Sequence, residues 1–77
     1  MSNNDNLGWK PIWYEHDRYD FTSFARGIRL DLSPLTRVSE IYIRSCITLD
    51  GVFNILGNNY KLSRVPSSTY FAVYKEV

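Results

Sequence analysis

The stretch Val38-Ser39-Glu40-Ile41-Tyr42-Ile43-Arg44-Ser45-Cys46-Ile47-Thr48-Leu49-Asp50-Gly51-Val52-Phe53 decides the fold, because it fits two periodicities at once. Leu35, Val38, Tyr42, Cys46 and Leu49 recur at three and four, as on one face of a helix. Ile41, Ile43, Ile47 and Leu49 instead alternate with Glu40, Tyr42, Arg44, Cys46 and Thr48, as on a strand. Two features favour the strand. The segment is rich in β-branched side chains, which lose χ1 freedom in a helix. It also runs into Asp50-Gly51, a dipeptide suited to the positive φ of a two-residue hairpin turn. The expected register then sets Leu49 opposite Val52, Thr48 opposite Phe53 and Cys46 opposite Ile55.

Working towards the C-terminus, Val52 to Leu56 reads as the returning strand. Gly57-Asn58-Asn59 reads as a second turn, placed at Gly57-Asn58 or Asn58-Asn59, and Tyr60 to Val65 as the next strand. Pro66-Ser67-Ser68 breaks the chain again before an alternating run from Thr69 to Val77. Towards the N-terminus, Ile28 to Leu32 alternates as a strand. Asp20 is placed to cap a short helical turn over 21–26, with Gly27 as its stop. Trp9 to Tyr14 is rich in strand formers, and Pro11 confines it to an edge. The fold class expected is mainly β: a small antiparallel sheet, a meander with a closed barrel left open, carrying at most one short helix. Residues 1–8 read as a disordered lead and 9–77 as a single small β-rich domain, the size of one folding unit.

Register fixes two sheet faces. One carries Ile41, Ile43, Ile47, Leu49, Val52 and Leu56. The other carries Tyr42, Arg44, Cys46, Thr48, Phe53 and Ile55, joined by Tyr60, Leu62 and Arg64. A half-solvated sheet would show polar residues on its wet side, so this second face requires an explanation. A bulge can exchange the faces in a barrel, the segment bearing Trp9, Trp13, Phe21 and Phe24 can cover it, or a partner can dock there.

The chain of 77 residues is 44% apolar with a net charge of +1, which sets aside whole-chain disorder and a general polyanion binder. Residues 1–20 carry −2 and 21–77 carry +3, and arginine outnumbers lysine six to three. One cysteine, Cys46, precludes an intrachain disulfide and reads as a small apolar filler. A domain of this size without a bridge suits a reducing compartment, so the expected localisation is cytoplasmic. Neither a signal peptide nor a membrane span is read, and no membrane partner is expected.

Chemistry is thinly represented. His16, between Glu15 and Asp17, is the only histidine, and neighbouring loop residues do not converge on a metal as ligands must. A Cys46–His16 nucleophile pair would need an orienting third group. Single, distant glycines form no phosphate cradle. No enzyme, metal site or cofactor is therefore expected. The expected function is a non-catalytic protein-binding module, a small inhibitor or adaptor that occludes a larger macromolecule. Tyr42, Arg44, Tyr60 and Arg64 are the expected contact residues, since Tyr and Arg are common hot-spot types. The same residues would suit a single-stranded nucleic acid through stacking and phosphate pairing, which is the alternative. Small chains of this type are often encoded by phages and other mobile elements, a base-rate expectation with no residue behind it. A homodimer would be formed through an exposed strand, 69–77 or 9–14.

Overall fold

A computed structural model describes residues 7–14, 20–32 and 37–77. Its elements run β1 (Trp9–Tyr14), α1 (Phe21–Asp31), α2 (Glu40–Ser45), β2 (Phe53–Ile55), β3 (Asn58–Arg64) and β4 (Phe71–Glu76). The four strands form one antiparallel sheet in the order β1-β4-β3-β2. β2, β3 and β4 make the expected meander, and β1 adds on the far side of β4. The sheet is open, with β1 and β2 at separate edges, so the barrel is not formed. Two helices, rather than at most one, accompany it. No helix among the described residues is long and apolar enough to cross a membrane.

β1 occupies the edge that Pro11 demands. The Val77 amide donates to the Gly8 carbonyl at 2.9 Å. Alternation along the strand then turns Trp9 and Pro11 outward, so the amide hydrogen that proline lacks would have faced solvent. A bulge between Pro11 and Trp13 follows. β4, by contrast, lies inside the sheet, so the C-terminal strand is not an edge available for dimerisation.

α1 replaces the expected strand at 28–32. Asp20 is its N-cap, its Oδ1 accepting from the Thr22 amide at 3.1 Å. Phe21, Phe24, Ala25, Ile28 and Leu32 then fall on one helical face, and all but the half-buried Phe21 are buried. Gly27 does not stop the helix. A Cβ there would lie 2.7 Å from Trp13 Cγ, so glycine is what lets the helix approach β1.

The helix α2 and one isolated bridge replace the expected strand over 38–49. Ser39 Oγ accepts from the Tyr42 amide at 3.0 Å, and Glu40 sits in the first turn. In so short a helix the end groups are most of the backbone. Capping and the burial of Ile43 therefore outweigh the few tenths of a kcal/mol per residue by which β-branching disfavours helix. After Cys46 the chain reverses over Leu49-Asp50-Gly51, one residue longer than a two-residue turn. Gly51 has φ +80°, and Thr48 and Val52 are bonded at 2.7 Å. Ile47, not Thr48, consequently pairs with Phe53.

The next turn also moves. Leu56 and Gly57, at φ +53° and +86°, link β2 to β3 and set Phe53 against Tyr60. Phe53, Ile55, Tyr60 and Leu62 still share a face, and Val73 of β4 joins them. α1 covers that face. Phe24 packs on Phe53 at 4.8 Å between ring centroids, and Phe21 lies 6.1 Å from the same ring. Core covering thus accounts for the aromatic face, through Trp13, Phe21 and Phe24. Trp9 belongs to the other face, where Lys61 Nζ sits 4.5 Å from its ring centroid.

Candidate functional site

The four expected contact residues do not converge. Tyr60 is wholly buried, and its hydroxyl donates to Asp31 Oδ2 at 2.7 Å. Lys75 Nζ reaches the same oxygen at 3.1 Å. Tyr60 and Lys75 are register partners on β3 and β4, so one row of the sheet holds the last residue of α1. Burial pushes the Asp31 carboxyl up, but the hydrogen bonds from Tyr60 and Lys75, with the charges of Lys75 and Lys10, hold it below its ordinary value. Burial, the bond to Asp31 and its negative charge push the Tyr60 hydroxyl up. Tyr60 is therefore a buried structural tyrosine, not an exposed contact residue.

Arg44 and Arg64 stand apart from one another on different elements. Arg44 lies over the Phe21 ring at 4.0 Å and pairs with Glu40 at 3.7 Å. Arg64 lies over Phe71, its register partner, at 4.7 Å. Both guanidiniums already occupy an aromatic face, which leaves those faces unavailable as stacking platforms. Cys46 is half-buried at the end of α2, donating through Sγ to the Tyr42 carbonyl at 3.2 Å. His16 lies outside the described residues. Among the described residues no group of three or more His, Cys, Asp or Glu side chains could hold a metal.

Tyr42 alone lines a cleft. The cleft, of about 450 Å³, is bounded by Arg37, Val38, Ser39, Tyr42 and Leu56. The segment entering α2 supplies three of these residues, α2 supplies Tyr42, and the β2–β3 turn supplies Leu56. Leu56 is the unusual member. The left-handed conformation costs a residue with a Cβ about 1–2 kcal/mol, and Asn, Asp or Gly normally takes the first position of such a turn. Leu56 nevertheless adopts it, and its apolar side chain remains 54% exposed.

More apolar surface lies nearby in sequence. Of the nine large apolar side chains exposed among the described residues, Ile41, Tyr42, Ile47, Leu49 and Leu56 fall between 41 and 56. The Ile47–Phe53 bridge and the bond from the Asn54 amide to the Cys46 carbonyl at 3.2 Å tie α2, the 49–51 turn and β2 into one local unit. Sequence reading missed Arg37, Ile41 and Leu56 as site residues. The available signal was the Leu56-Gly57 pair, whose register opposes Phe53 to Tyr60 and obliges a leucine to sit at the turn. No family model, curated protein or solved structure matches the chain.

Proposed function

We propose that the protein is a non-catalytic binding module that docks on a larger macromolecule through the unit formed by α2, the 49–51 turn and Leu56. The observation that carries this reading is Leu56: the β2–β3 turn needs a left-handed residue there, yet a leucine holds it, at a cost in strain and with an exposed aliphatic side chain that the turn itself does not require. Strain of this kind persists where the surroundings over-determine it and clusters at functional sites. Exposed apolar side chains gathered on one unit, with Tyr42 and Arg37 beside them, have the make-up of an interface centre with a polar rim. An inhibitor or adaptor acting by occlusion needs no more than such a face.

The test is affinity capture from the native cell with the wild-type chain and with Ile41→Asp, followed by mass spectrometry. Arg64→Ala, at the far end of β3, serves as a control of matched expression. A protein retained by wild type and Arg64→Ala but lost with Ile41→Asp, whose circular dichroism is unchanged, supports the reading. Equal retention by all three contradicts it. The nucleic-acid alternative makes a separate demand, namely oligonucleotide binding near 50 mM salt that falls steeply as salt rises.

A further inference from the structure

The cleft between α2 and the β2–β3 turn has an asymmetric chemistry. Its walls are apolar where Val38 and Leu56 contribute, and Ser39 and Tyr42 add hydroxyls. Arg37 brings the one charge among its described lining residues. A second guanidinium stands close by, with Arg29 Nη1 3.5 Å from the Val38 carbonyl oxygen. Neither Arg29 nor Arg37 has a carboxylate partner among the described residues. Glu40, the acid nearest Arg37 in sequence, is paired with Arg44 instead, and Asp31, the acid nearest Arg29, with Lys75.

We infer that this cleft takes a peptide segment of a partner protein in which a bulky apolar side chain is flanked by a carboxylate. The inference rests on the protein-binding reading above and names its occupant. The apolar side chain enters against Val38 and Leu56, while the carboxylate meets Arg37. Arginine is suited to that role because its planar guanidinium can donate two parallel hydrogen bonds to a carboxylate. The cleft volume falls in the lower part of the range for small binding clefts, about 300–1,000 Å³, so it accepts side chains of one segment rather than a folded element. The left-handed turn has a role here, since it fixes where the Leu56 side chain leaves the backbone.

The test is an NMR titration of the ¹⁵N-labelled full chain with three synthetic peptides. One repeats Glu-Leu-Phe-Glu, and the others replace each Glu by Gln or by Lys. The acidic peptide is expected to move the amides of 37–42 and 55–57 saturably. The Gln peptide should bind at least tenfold more weakly, and the Lys peptide should not bind. Arg37→Glu, with the rest of its spectrum unchanged, should remove the preference for Glu. Equal binding of the acidic and Gln peptides, shifts confined to another face, or no shifts at all would each overturn the inference. So would shifts at the same amides on concentrating the chain alone, which would identify a second copy as the occupant, or on adding an oligothymidine. Cellular capture separates this inference from the broader reading. A partner lost with Ile41→Asp but kept with Arg37→Glu leaves protein binding standing and removes the acidic occupant.

Discussion

Of the two helices, α1 turns its apolar face inward, burying Phe24, Ala25, Gly27 and Ile28, whereas α2 buries Ile43 alone and leaves Ile41 82% exposed. The contrast extends to their surroundings. α1 is pinned at one end by its Asp20 cap and at the other by Tyr60 and Lys75 on Asp31. α2 is a six-residue turn beside an open cleft and a strained leucine. α1 supplies most of the helical core, and α2 adds only Ile43 to it. In a small chain the exposed apolar surface of this region has to be offset by burial elsewhere, and α1 over the sheet contributes Phe24, Ala25 and Ile28 to that burial.

Substitutions should separate the two regions in graded steps. Phe24→Ala is expected to cost about 3–5 kcal/mol, most of the stability of a small domain, measured by urea unfolding. A loss below about 1 kcal/mol would mean that α1 is not the core helix. Ile41→Ala, on the outward side of α2, should stay within about 0.5 kcal/mol of wild type. Gly27→Ala tests the contact with β1. Alanine is the better helix former by about 1 kcal/mol, yet its methyl would press on Trp13 Cβ and Cγ near the ring's attachment, where little can yield. A net destabilisation of about 1–2 kcal/mol is expected, and a stabilised variant would refute the close approach.

The α1 anchor also has a pH signature. Asp31 is held below its ordinary value in the fold, so its contribution is complete above about pH 4 and fades as pH falls through the folded-state value. Tyr60 is raised, so its contribution is complete below about pH 10 and fades as pH rises beyond it. Stability measured by urea midpoints should therefore fall at both extremes. Tyr60→Phe should lose the alkaline fall attributable to this hydroxyl. An alkaline limb unchanged in that variant would assign the fall elsewhere.

Legibility in the sequence followed the same divide. Trp9–Tyr14 is readable as an edge because proline inside a strand is confined to edges and bulges, and β1 offers both; the Asp20 cap is readable because it lies beside its helix. β3 and β4 were readable from alternation bounded by turns. Gly27 misled, since a helix stop and a helix–strand contact both select glycine and only the tertiary neighbour distinguishes them. The segment 40–45 misled because β-branched propensity was weighed over a stretch whose true helix is too short for propensity to decide. Its Ser39 cap was the stronger signal. In the site, Tyr42, expected as a contact residue beside arginines, is exposed and lines the cleft. The burial of Tyr60 is not legible, because alternation assigns a side chain to a face without saying what covers that face. Leu56 is not legible because Gly57-Asn58 and Asn58-Asn59 both offer residues that ordinarily adopt positive φ, and the turn falls one residue earlier, on Leu56-Gly57.

On the proposed function, Leu56 is kept for binding at the expense of stability. Leu56→Asn tests it most directly, with thermal unfolding and retention of the captured partner measured on the same preparation. Asparagine suits the left-handed position, so the chain should gain about 1 kcal/mol and melt several degrees higher, while partner retention falls. A variant that is more stable and binds its partner undiminished would contradict the account.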